Sequence, residues 1–144
     1  MATEAWTGTY EELPLGASET SSQLIDGGAI DKFADAIQSF NPIHMDGEWA
    51  RENTPYPDRI AHGVMTTALM SKPLVQFCER YKIRTALLSS SSKYIRAVVA
   101  GDTVTTEIRL AEKTDKKKRI RFEVESKNQK GAVVMVGELL EQCL

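Results

Sequence analysis

Two histidines, His44 and His62, stand in contexts that could make them chemically active. His44 follows Asn41-Pro42-Ile43 and precedes Met45-Asp46. Histidine has the side chain whose ordinary pKa lies nearest neutrality, so an imidazole just past a chain corner can give or take a proton at working pH. His62 is followed by Gly63, and the pair opens residues 60–77, where apolar side chains at 60, 64, 68 and at 65, 69 follow helical spacing. A glycine in the first helical turn leaves its backbone N–H unobstructed, and the helix N-terminus carries partial positive charge. Such an N–H can stabilise a developing enolate oxygen. Taken singly, a histidine after a turn is more often a hydrogen-bonded loop residue, and a His-Gly before a helix is more often a cap. The combination is what points to a site.

The elements that must position these groups can be read from the chain. Residues 26–38 place Ile30, Phe33, Ala34 and Ile37 on one helical face, with Asp26 or Asp31 as the start signal. Asn41-Pro42 is a turn dipeptide because proline fixes its own φ and keeps its predecessor out of the α region, so the helix should stop near Gln38. His44 is then expected on a loop between two helical patterns. Asp46 reads as the N-cap of a short helix over residues 47–53, with Trp49 on its buried side. Thr54-Pro55-Tyr56-Pro57 closes it as a semi-rigid loop. A long helix is predicted over residues 61–81, kinked or broken by Pro73, with Met65, Leu69 and Met70 in the core. Residues 6–16 read as a short strand or lead-in, and residues 19–25 as a strand. From Arg84 onward the pattern is β: residues 85–99, 103–110, 119–125 and 132–140. The order is α+β, one long helix wrapped by a curved antiparallel sheet.

Composition bounds the function. The 144 residues are 42% hydrophobic and 26% charged, an ordinary globular balance for one domain spanning residues 1–144. A formal charge of −2 provides no overall field for a polyanion, which argues against a nucleic-acid partner. The two cysteines, Cys78 and Cys143, have neither metal-ligand spacing nor a disulfide framework. No metal and no cofactor is therefore expected, and a reducing, cytoplasmic setting is. Met1-Ala2-Thr3-Glu4-Ala5-Trp6 lacks the basic and apolar regions of a secretory signal, and no run is long enough to suggest a membrane span. The lysines of the Thr114-Asp115-Lys116-Lys117-Lys118 turn could meet a phosphate, although a charged hairpin tip is usually only solvated.

Three stretches together resemble the MaoC-like family of R-specific enoyl-CoA hydratases: Asn41-Pro42-Ile43-His44-Met45-Asp46, Ile60-Ala61-His62-Gly63, and Tyr94-Ile95-Arg96 running into Gly101-Asp102. Asn128-Gln129-Lys130-Gly131 is similar to the hairpin between the family's closing strands. The resemblance covers the chain from about Trp6 onward and implies a single hot-dog domain that pairs into homodimers, with active sites near the subunit interface. Its substrate would be an acyl-CoA or acyl-carrier-protein thioester. It implies His44 as the histidine that binds and activates water, Gly63 as the oxyanion donor, and Ser71 as a serine lining the site. Asn41 and His62 complete the motifs, and Trp49 and Tyr56 fall in the region that flanks the acyl pocket. The family's catalytic aspartate stands five residues before the histidine, and here that position is Ser39. A serine hydroxyl has no basicity near neutrality. Asp35, one helical turn before Ser39, and Asp46 are the nearby carboxylates, with solvated and capping roles respectively as the plainer readings.

Three functions follow. The leading one is a hydro-lyase that adds water to a 2-enoyl thioester or removes it from a 3-hydroxyacyl thioester. The second is a repurposed enzyme of the same scaffold, using His44 for isomerisation, dehydration or cyclisation in a specialised pathway. The third is a catalytically weak subunit that binds an acyl thioester. Thioester hydrolysis ranks lower, because no acidic residue is placed by the sequence to activate water at the carbonyl.

Overall fold

A computed structural model describes residues 5–144. Residues 1–4, most of the stretch without a leader pattern, lie outside the described residues. After a 3-10 turn at Tyr10–Glu12 come β1 (Ser18–Ile25), α1 (Gly27–Ile37), α2 (Pro42–Met45), α3 (Gly47–Asn53), α4 (Gly63–Ala68) and α5 (Ser71–Tyr81). The chain then runs through β2 (Thr85–Tyr94), β3 (Asp102–Thr114), β4 (Arg119–Lys127) and β5 (Val133–Cys143). The strands form one sheet in the order β1-β3-β4-β5-β2, antiparallel throughout. Alternation does what period two demands: in β4, Ile120, Phe122, Val124 and Ser126 are buried while Glu123 and Glu125 face water. The helical segment from Gly63 to Tyr81 packs on the inner face. There Phe77 meets Phe122 edge-on at 4.9 Å, among Ile108, Leu110, Ile120, Val134 and Met135. This is the long helix wrapped by an antiparallel sheet that the hot-dog expectation describes.

The long helix is broken as Pro73 predicts, with the break falling just before the proline, at Leu69-Met70. Pro73 has no N–H to offer the Leu69 carbonyl, and the chain tightens before it: Met70 N donates to the Thr67 carbonyl (3.0 Å) rather than one residue further back. Several other elements depart from the sequence-based expectation. Residues 6–16 form the lead-in and a 3-10 turn but no strand. The strand expected over residues 85–99 ends at Tyr94. Beyond it, Ile95 N still donates to Val134, and residues 95–100 then cross over so that Val99 pairs with Ile60. That crossing carries strand-like residues off the sheet and onto the helical side. His44 lies within the single turn α2, not on an open loop, because Asn41 caps it and Pro42 supplies its preset first position. Trp49 is 38% exposed, and it is Ala50 that α3 buries. Met65, Leu69 and Met70 are in the core as expected.

Candidate active site

His44 is placed by local capping. The Asn41 side-chain carbonyl accepts from Ile43 N (3.1 Å), fixing the start of α2, and Asp46 Oδ1 accepts from Trp49 N (3.0 Å), fixing the start of α3. Asn41 and Asp46 thus cap α2, which carries the histidine, and α3, which follows it. Opposite them, Ile60 N donates to the Ile43 carbonyl (3.1 Å), and the Ile60 carbonyl faces His44 Nδ1 at 2.7 Å. A carbonyl can only accept, so Nδ1 carries the proton and Nε2 is left with its lone pair. That is the tautomer of a base.

His62, the N-cap residue of α4, is 2% exposed and lies with its ring 3.9 Å from that of His44, the two planes inclined by 27°. Its Nε2 donates to the Ser39 carbonyl (3.0 Å). Its Nδ1 is then an acceptor, and it finds no donor among the described residues. Phe33 covers the ring at 5.4 Å. Ser39 therefore meets the histidine pair through its backbone. Burial pushes the His44 pKa below its ordinary 6.5. The hydrogen bond to Ile60 opposes that shift, and the neighbouring His62 adds to it. The net effect favours the neutral ring.

His44 and Gly63 share a cavity of about 320 Å³ whose wall also includes Tyr56, Thr66, Tyr94 and Arg96. As the first residue of α4, Gly63 has a backbone N–H with no acceptor inside the helix. Tyr94 packs over it: a Cβ added at Gly63 would lie 3.3 Å from the Tyr94 ring. The Tyr94 hydroxyl is in turn tied to Thr67 Oγ1 at 2.5 Å, and Thr67 Oγ1 reaches Ser92 Oγ at 2.9 Å. The cavity thus brings together an imidazole, a helix-start N–H without an intrahelical acceptor and a fixed phenol.

Of the residues singled out in the sequence, His44, Gly63 and Tyr56 line this cavity, and His62, Ser39 and Asn41 support it from behind. Ser71 and Trp49 do not reach it. Ser71 lines a separate, more apolar depression with Leu74 and Cys78, beyond the break at Leu69-Met70. No carboxylate lines the His44 cavity among the described residues. Asp35 is exposed on α1, and its backbone carbonyl accepts from Gln38 Nε2 (2.7 Å). Tyr94 and Arg96, part of a stretch that carries the family resemblance but given no site role from the sequence, also line the cavity. The available signal was an aromatic and a base at the end of a strand, and only the crossover that follows takes them to the cavity. Among the described residues no group of three or more His, Cys, Asp or Glu side chains could hold a metal ion, and no helix is long and apolar enough to cross a membrane.

Residues 18–132 match the family model of the MaoC like domain. The 3-hydroxybutyryl-CoA dehydratase of Methylorubrum extorquens is 32% identical over 114 residues, which is 78% of this chain and 70% of that protein. Among solved structures, the (R)-hydratase from A. caviae involved in PHA biosynthesis superposes with a TM-score of 0.84 at 26% identity, over 92% of this chain and 98% of that one. The R-hydratase PhaJ1 from Pseudomonas aeruginosa superposes with a TM-score of 0.81 at 29% identity, over 93% of this chain and 84% of that one.

Proposed function

The chain belongs to the MaoC-like domain family, and from that premise we propose that it is a hydro-lyase on acyl-CoA or acyl-carrier-protein thioesters, working as a cytoplasmic homodimer. The observation that carries the proposal is His44, with Nδ1 seated on the Ile60 carbonyl, in one cavity with Gly63. In the hydration direction, His44 Nε2 takes a proton from water as the water oxygen bonds to C3 of the 2-enoyl group. The C2–C3 π electrons move toward the thioester carbonyl, and the Gly63 N–H stabilises the resulting enolate oxygen. The imidazolium then returns its proton to C2 as the carbonyl re-forms. One imidazole balances this sequence, since the proton taken from water is the proton delivered to carbon. A second acid or base improves the orientation of the water but is not needed for proton balance. Dehydration is the reverse.

His44 acting as a base fixes the sign of the pH dependence. Activity requires the neutral ring, so it is lost as pH falls through the His44 pKa, which lies below 6.5. The acid limb of kcat/KM against pH is accordingly expected to have its midpoint below that value. A midpoint at or above it would mean that another group is the base.

Ser39, which the sequence resemblance sets at the position of the family's carboxylate, favours a second reading, a weak or repurposed site that binds an acyl thioester. The deciding experiment is turnover of crotonyl-CoA and of a longer 2-enoyl-CoA, followed by loss of enoyl-thioester absorbance and product analysis. Wild-type hydration is expected, and Ser39→Asp is expected to raise kcat/KM by up to ~10²-fold by restoring a group that orients water. The new negative charge would also favour the imidazolium and move the acid limb upward. A wild type that binds both thioesters and turns over neither would remove the hydro-lyase proposal in favour of the second reading.

A further inference from the structure

The imidazole of His44 is only as well placed as the single turn that carries it. We infer that Arg59, paired with Asp31, is a positioning residue that fixes α2, and through it His44, against the cavity wall; the inference rests on His44 being the acid/base. A turn of four residues is far below the length at which a helix holds itself together, so its geometry comes from outside contacts. The last carbonyls of a helix have no intrahelical partners, and the His44 carbonyl is one of these. Arg59 Nη1 donates to it at 3.3 Å. The same nitrogen donates to Asp31 Oδ1 at 2.6 Å, so one guanidinium bridges α1 and the end of α2. A cation at this end also complements the negative pole of the turn.

The seat of Arg59 is built for it. Its side chain is 16% exposed, against 53% for Asp31. A Cβ at Gly27 would lie 2.2 Å from Arg59 Nη2, so the guanidinium occupies space that only glycine leaves at the first turn of α1. The backbone is equally tied down. Arg59 N donates to Asp58 Oδ1 (2.7 Å), and the Arg59 carbonyl accepts from Ala100 N (2.8 Å). The next residue, Ile60, grips the other side of α2 through Ile43 and the His44 ring. An ion pair with one exposed member contributes little to global stability. Its consequence here is the alignment of Arg59 on the His44 carbonyl.

The test is a double-mutant cycle of Asp31→Asn, Arg59→Ala and the combined variant, with Arg59→Lys as the conservative replacement. Asp31 is at the surface, so Asp31→Asn keeps the test open if Arg59→Ala folds poorly. Each single substitution is expected to lower kcat by up to ~10²-fold, the scale of a roughly 1 Å misplacement, with KM little changed. The double variant should be no slower than the slower single one, since Asp31→Asn weakens, by removing the charge, the same link that Arg59→Ala removes. Arg59→Lys should recover part of the rate, because a single ammonium can serve one partner at a time. A second readout needs no turnover: in ligand-free protein the His44 Nδ1 proton, followed by nitrogen-15 NMR, should exchange faster with solvent in Asp31→Asn and Arg59→Ala than in wild type. This separates the inference from the proposed activity, because the resonance reports on the imidazole even if no thioester is hydrated. Unchanged exchange in both single variants, or losses of kcat that add in the double variant, would overturn it.

Discussion

Replacement of His44 by alanine is expected to lower hydration of a 2-enoyl-CoA by ~10²–10⁴-fold, the usual loss when a positioned acid or base is removed. The loss should appear in kcat, with KM little altered, because Gly63, Tyr56 and Tyr94 still line the cavity. The fold should survive. α2 is capped by the Asn41 side chain and tied to Ile60 through the Ile43 carbonyl, and neither link uses the imidazole. His62 cannot substitute as the base. Its Nε2 is committed to the Ser39 carbonyl, and its Nδ1 is enclosed away from the cavity. Circular dichroism and binding of a saturated acyl-CoA would establish that the variant is folded and competent to bind. Near-normal turnover in such a variant would mean that the proton travels through another group, and the mechanism built on Nε2 would fail.

The parts of this site legible in the sequence are those specified by local rules. Asp26 caps α1 as the pattern predicts, and Gln38 ends it in a left-handed conformation three residues before Asn41-Pro42. Asp46 is a cap, and His62-Gly63 does open a helix. These are effects of neighbours in the chain on backbone geometry, and they suffice to bring His44 and Gly63 to adjoining corners. What the sequence does not reveal depends on contacts across the fold. The stacking of His62 on His44 joins residues 18 positions apart. Tyr94 comes to lie over Gly63 because the strand stops there and the chain crosses to Ile60. Ser71 illustrates the converse: the resemblance assigns it to the site, and here it lines a separate depression beyond the tightened turn at Leu69-Met70. Trp49, expected on the buried side of α3, is partly exposed, and Ala50 is the residue that α3 buries.

The second large effect concerns a backbone hydrogen, which substitution usually cannot remove. Gly63 is an exception. It is the first residue of α4, a position where proline's missing N–H costs no helical hydrogen bond and its fixed φ suits the turn. His62 before it has φ −56° and ψ 136°, within the region that a following proline permits. Gly63→Pro should therefore fold, yet delete the one donor assigned to the enolate oxygen. The expected loss is ~10²–10³-fold in kcat, the scale for removal of an oxyanion donor. Crowding needs its own control, because any Cβ at residue 63 meets the Tyr94 ring at 3.3 Å. Gly63→Ala supplies it, adding the same carbon while keeping the N–H. If the N–H is the oxyanion donor, the alanine variant loses far less activity than the proline variant, and Tyr94→Ala relieves the alanine variant but not the proline one. Equal losses in the two variants, both relieved by Tyr94→Ala, would assign the role of Gly63 to making room for Tyr94, and the enolate would need a different donor.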